Sequence, residues 1–419
     1  MTRKILPIAA LLLGSAFLLF AGGINALILP VRGAGEGFSS FSLGLIGTGW
    51  AVGYVLGCVL TPGLVARVGH IRSFSVMAAV AGIAVLLSLL LITPWAWIPL
   101  RAMSGFCFAG AAMIVEGWLS ERSDAQSRGM IFGIYMTINL VATTAGQMIL
   151  MAGDPMGHMF FVLAAMFYML ALIPTAVSSS ASPQPLVQAR LNLHELYRNS
   201  PVAVVAAFFV GISNGAFGTL SAVYATGIGL DLNSVALFAS VPILAAAVAQ
   251  VPIGMLSDRF DRRLVLFSTA VIALGADLYF VAAQPDEAVF ALLAVSLLGA
   301  ALFTMYPLLL AHANDFASPD DYVLTSGSLL LVFGAGAIFG PLIAGTAMET
   351  IGVRGLFMTM AAAHVVIGAY TLWRTTVRAP LPIEEKAVFV AMPIARTSTP
   401  QTAEFAPTPA GADQEAEAH

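Results

Sequence analysis

Arg101, Glu116, Asp277, His312 and His364 each interrupt a long apolar stretch, and these five side chains bound the chemistry open to the chain. Ionisable groups in such surroundings are costly and persist where they pair, recognise a charged solute or carry a proton. A carboxyl held away from water titrates above its usual range, and a histidine titrates near neutrality. Covalent or metal chemistry has no comparable support. There is no nucleophile set beside a base and no paired carboxylates, and Cys58 and Cys107 match neither a metal nor a redox spacing. No cofactor and no metal are expected, and the chain reads as a non-enzyme. Arg101 and Glu116 lie fifteen residues apart, about 22 Å along a helix at 1.5 Å per residue, so they act in different layers. Two readings stand for each. Arg101 is either functional or snorkels to an interface near Trp95 and Trp97; Glu116 is either a gate partner for Arg122 or Arg128 or a substrate contact. Asp277 and the histidines are either proton-titrating or packed polar groups.

What must position them is a set of membrane helices. Hydrophobic residues make up 59% of the 419 and charged residues 10%, against the usual quarter in soluble domains. There is no basic patch for nucleic acid. Twelve apolar segments of spanning length fall near 5–30, 41–66, 73–93, 96–119, 129–152, 158–177, 200–227, 234–257, 264–284, 288–312, 323–347 and 355–375, separated by polar turns such as QPDE and ANDFASPDDY. The first is too long for a signal peptide and reads as a retained helix.

Lysine and arginine set the orientation. With the N-terminus inside, Arg3, Lys4, Arg67, Arg72, Arg122, Arg128, Arg190, Arg198, Arg259, Arg262, Arg263, Arg374, Arg378, Lys386 and Arg396 are cytoplasmic, while Arg32 and Arg354 are outside. Both termini are therefore expected in the cytoplasm. The polar stretch 178–199 separates an N-terminal six-helix half, 1–177, from a C-terminal half, 200–375. Phe20, Gly22 and Asn25 recur as Phe209, Gly211 and Asn214, as expected of a duplication. The tail, 376–419, is rich in Pro, Ala, Thr and Glu without periodicity and is expected to be disordered in the cytoplasm.

The stretch Gly254 to Arg263, GMLSDRFDRR, has the form G-x-x-x-D-R-x-D-R-R and resembles the inter-helix signature of the major facilitator superfamily, with Asp261 where that family usually has Gly. In the first half the matching turn is degenerate, with Ala66 in the place of Asp258. VGHIRSF, RAMSGFCFAGAAMIVEGWL, YPLLLAHAND and FGPLIAG together resemble the bacterial YcaD-like inner-membrane subfamily. The resemblance implies an all-α membrane protein whose twelve helices form two pseudo-symmetric six-helix halves, with helices 1, 4, 7 and 10 around a central cavity. It places Arg101 and the small-residue stripe Gly105, Ala109 and Ala112 on a cavity wall. Asn25, Arg101, Asn214 and Tyr306 are then the substrate-binding candidates. Glu116, Asp258, Arg259, Arg262, Arg128 and Asp277 are the coupling or gating candidates, with the Asp258 turn latching against Arg128 and Gly129. Gly49, Gly53 and Gly57 on helix 2 and Gly336, Gly340 and Pro341 on helix 11 are expected to form a sliding interface between the halves.

The reading is a secondary active transporter of a small solute, a metabolite or drug-like molecule, working by alternating access in the bacterial inner membrane, with proton coupling as its open branch. Its partners are that solute, the lipid bilayer and, on that branch, protons; a monomer is expected. The rival is a non-transporting sensor or assembly factor that keeps the fold.

Overall fold

The computed structural model describes residues 8–124, 126–177, 186, 192–285, 287–318 and 321–406. Parts of the linker 178–199 and the end of the tail lie outside them. The described residues are helical with no strand. The long helices are α1 (Ala9–Gly35), α2 (Ser40–Val68), α3 (His70–Leu90), α4 (Pro94–Glu121), α5 (Arg128–Met148) and α6 (Met159–Leu170) in the first half. The second half holds α7 (Pro201–Gly227), α8 (Leu232–Arg259), α9 (Arg262–Ala283), α10 (Ala288–Asn314), α11 (Tyr322–Ile351) and α12 (Gly355–Val377). Eleven are long and apolar enough to cross a membrane, while α6 is shorter and continues through Leu172–Val177. At 27 residues, α1 and α7 are each about 40 Å long, more than the ~30 Å hydrocarbon core needs.

Local sequence fixes the helix ends. Ser39 and Ser200 cap α2 and α7, accepting hydrogen bonds from the amides of Ser42 (3.2 Å) and Ala203 (3.4 Å). Gly69, at φ 88°, lets α2 turn at once into α3. Asp261 explains its own departure from the family's glycine: it caps α9, accepting from the Arg263 amide at 2.9 Å and binding the Arg263 guanidinium at 2.7 Å.

Within each half, glycines bring backbones together. A methyl group on Gly53 would sit 1.8 Å from the Ala102 carbonyl oxygen of α4, and one on Gly336 would sit 1.9 Å from the Phe208 carbonyl oxygen of α7. Gly49 and Gly57 also face α4, at Ile98 and Phe106, and Gly340 faces α7 at Ile212. This corrects the sequence expectation. The two ladders weld α2 to α4 and α7 to α11, each inside its own half, because the spacing that permits close approach does not choose the partner. The halves meet elsewhere along α2 and α11, where Pro341 alone keeps its predicted place among the residues named for the interface. Gly44 of α2 and Gly345 of α11 lie against each other's helix, Gly44 against the Pro341 carbonyl, and Thr48 Oγ1 donates to the Ile338 carbonyl at 2.8 Å. These contacts lie towards the face opposite the start of α1, here called the far face. There Ser240 of α8 also donates to Gln147 of α5 at 3.1 Å.

Candidate functional site

At the other face, where α1 begins and α12 ends, the tail enters between the halves. Its stem packs on the second half. Lys386 donates to the Phe260 carbonyl (2.6 Å), the Ala387 amide to Asp315 (2.9 Å), the Phe389 amide to Asp258 (3.2 Å) and the Met392 amide to Gln250 (3.0 Å). Arg262 ties this stem to the turn, bonding Asp315 at 2.8 Å, Asp258 at 3.1 Å and the Ala387 carbonyl. Burial lifts the Asp315 carboxyl above the usual carboxylate range against the pull of Arg262. From Ala391 to Thr397 the chain shares with α5 and α8 the lining of a cavity of about 170 Å³, along with Asn139, Thr143, Ala246 and Gln250. It then turns and descends on the first half. The Tyr54 hydroxyl donates to the Ser398 carbonyl at 2.9 Å, and Phe405, fully buried, packs on Phe132 and Tyr135.

The expectation of a disordered tail is therefore corrected for residues 379–406. The reason is visible in AVFVAMPIA, Ala387 to Ala395, an apolar run that the Pro- and Glu-rich remainder dilutes when the tail is averaged as a whole. Burying Met392 and Ala395 of that run removes apolar surface from water at roughly 25 cal/mol per Å², and the amides of Ala387, Phe389 and Met392 are bonded to the second half.

The bend of the tail abuts a cavity of about 110 Å³ at the centre of the molecule. Asn25 of α1 and Asn214 of α7 line it, each 1% exposed, and neither side-chain oxygen has a hydrogen-bond partner among the described residues. Arg101 of α4 lines it too, buried beside Tyr168 rather than snorkelling outward. Its guanidinium carbon is 5.9 Å from the centroid of Trp50, and the same ring carries the guanidinium of Arg396, at 4.5 Å. The lack of a side chain at Gly218 admits Arg396, since a methyl group there would fall 2.0 Å from Nη1. The cavity lining contains no carboxylate.

The other predicted site residues disperse. Tyr306 packs on Phe333 of α11, outside the lining of this cavity. Glu116, fully buried, makes no ion pair with Arg122 or Arg128 among the described contacts. Its carboxylate accepts hydrogen bonds from Tyr135 and Thr402, each at 2.9 Å, and from Thr399. Asp258 faces the tail and Arg262, not the start of α5; Arg128 instead lies near Glu404 of the tail. The expected latch is absent from this arrangement because the tail occupies the surface it would use. Arg259 is exposed. Asp277 pairs with His364 of α12 at 2.6 Å, both fully buried, away from the cavity. His312 is buried against Phe316 at the end of α10. Sequence reasoning missed Trp50, Tyr135, Arg396, Thr399 and Thr402. Only Trp50, an aromatic set among glycines in GTGWAVGY, carried a local signal.

The Major Facilitator Superfamily family model matches residues 203–409. The MFS-type transporter YcaD of Escherichia fergusonii is 27% identical over 364 residues, covering 86% of this chain and 94% of its own. The chain is a member of the major facilitator superfamily. YcaD of Shigella flexneri, 26% identical, aligns over 90% of this chain and 98% of its own. Among solved structures, the nucleoside transporter NupG superposes with a TM-score of 0.76 at 14% identity, covering 88% of this chain and 98% of its own. A bacterial homologue of the lysosomal transporter Spinster, inward-facing and unoccupied, gives 0.73 at 14%, covering 90% and 98%. At these identities the structures establish the shared fold. This superfamily member is a multi-pass membrane transporter with the two-half helical architecture.

Proposed function

We propose that the chain moves a small solute across the bacterial inner membrane by alternating access, with both termini in the cytoplasm. The observation that carries this reading is the pairing of a backbone-tight closure at the far face with a central cavity holding repeat-related amides whose oxygens lack a partner among the described residues. A closure at the far face with the tail entering at the other is consistent with an inward-facing carrier, and the lysine and arginine bias supports a cytoplasmic position for the face where the tail enters. Two stiff halves, each welded by its own glycines, would rock about the seam between α2 and α11. Glu116 is the group best placed for proton coupling, since every partner it has is a hydroxyl that can follow a change in its charge.

Reconstituted protein should bind a solute and carry it down or against a gradient, with cysteine labelling at the far face rising when the cytoplasmic face closes. Labelling confined to one face under every condition, with no flux, would defeat alternating access. The tail favours a second reading, a sensor or assembly factor, because it fills the route out of the cavity. That reading requires binding without flux both in the full chain and in a chain truncated after Arg378.

A further inference from the structure

We infer that the central cavity selects a small organic anion carrying a hydroxyl or amine, and that the tail helps to bind it through Arg396; this rests on reading the cavity as the transport site. Two guanidinium groups, Arg101 from α4 and Arg396 from the tail, share the ring of Trp50, so they are separated by no more than the sum of their distances to its centroid. Arg101 is buried and Arg396 half-buried, and they repel each other. No carboxylate lines the cavity, and neither arginine has a salt bridge among the described residues. Glu116, the acid nearest along α4, spends its oxygens on Tyr135, Thr399 and Thr402. Cations so placed are stabilised by an anion that accepts charge-assisted hydrogen bonds from both.

The same lining also asks for the complement. The side-chain oxygens of Asn25 and Asn214 are acceptors without donors, buried in the same cavity. An unmet acceptor is costly, and a site built to meet one discriminates strongly against a solute that lacks the donor. Trp50, Phe108, Phe217 and Phe303 supply the apolar remainder of the lining. The combination defines an oxyanion at one end and an O–H or N–H at the other, as in hydroxy- and amino-carboxylates. Arg396 is then a binding residue delivered by the tail, and the tail is part of the site as well as a cover for it.

The test is calorimetric titration of the full chain in nanodiscs with a panel of hydroxy- and aminocarboxylates, aromatic and aliphatic, each matched with its neutral primary amide. At least one acid should bind tenfold or more tightly than its amide. Arg101→Gln and Arg396→Gln should each remove most of that preference while leaving the melting temperature of the unliganded protein near wild type. Gly218→Ala, which displaces the Arg396 guanidinium without touching its charge, should weaken the acid and spare the amide. If no acid is preferred over its amide, or if Arg396→Gln tightens binding of the acid, the inference fails. Liposome flux separates this from the broader reading. An acid that binds but never moves sinks transport and leaves the anion site standing; a neutral or cationic solute that moves while every acid is ignored does the reverse.

Discussion

The seam between α2 and α11 and the seam between α5 and α8 occupy equivalent places in the two-half architecture, yet they are built from opposite materials. At the first, Gly44 and Gly345 bring backbone to backbone and Thr48 crosses to Ile338. At the second, one direct hydrogen bond, Ser240 to Gln147, holds the far end, and residues 391–397 of the tail share with both helices the lining of a cavity of about 170 Å³. A seam of glycines can open and reclose without changing composition. A seam lined by a separate strand of chain changes when that strand leaves. The difference teaches that the pseudo-symmetry of the helices does not extend to how the halves are held together.

The largest effect tests what is not a seam at all. Gly53→Leu places a side chain on the Ala102 carbonyl, and the chain should lose folded yield altogether, as judged by monodisperse recovery after detergent extraction. Stable, monodisperse Gly53→Leu protein would mean that α2 and α4 are free to part, returning that ladder to the half-to-half role its spacing suggested. Gly345→Leu should be milder and more specific. The protein folds, but a cysteine at Thr48 becomes labelled from the far face at least tenfold faster, because the backbone contact with α2 is wedged open.

Truncation after Arg378 acts on the other seam. A cysteine at Asn139 should gain at least tenfold in labelling rate, about 1.4 kcal/mol of lost protection, while a cysteine at Thr48 stays as it was. Equal changes at the two positions would show the seams to be mechanically one. Glu116→Gln is expected to do less. The amide keeps the hydroxyl contacts of Tyr135 and Thr402 through its oxygen, so tail protection should fall only a few-fold, but any response of flux to a pH gradient should disappear.

The smallest effect is a pH dependence at the α8–α9 turn. Burial raises the Asp261 carboxyl, but its hydrogen bonds and charge pairing with Arg263 outweigh this and hold it below the ordinary value of 3.8. A depressed acid contributes stability that is present above its unfolded pKa and lost as pH falls through the folded one. Asp261→Asn keeps a capping oxygen and removes the charge. Its melting temperature should therefore lie below wild type by a constant margin from pH 7 down to about 4, and the gap should close in stronger acid. A gap that closes by pH 6 would assign the effect to another group.

The helices were legible because spanning length and composition are local properties, and so was the repeat, since Asn25 and Asn214 do converge on one cavity. The glycine ladders were legible as close-packing surfaces, but the identity of the facing helix is a property of the assembled bundle. Asp258 was read as a latch to α5 from the family's pattern, which has no place for a tail that competes for the same carboxylate. Arg396 was hidden twice. It lies in a segment whose average composition resembles disorder, and its partner Trp50 is separated from it by most of the chain.

The tail is bonded at its stem to Asp258 and at its tip to Glu116, so it is also a tether between the two halves. Its innermost anchors are Met392 on Gln250 and Ser398 on Tyr54, and at full extension the chain between them reaches about 20 Å. Rocking that keeps the two anchors within that reach only straightens the loop and draws Arg396 off Trp50. Wider motion has to break one anchor, either the stem's bonds to the second half or the tip's bonds to Tyr54 and Glu116. On the proposed alternating-access cycle, the length of this loop sets how far the halves travel before the tail lets go of one of them, and inserting or deleting residues within it would lengthen or shorten the stroke.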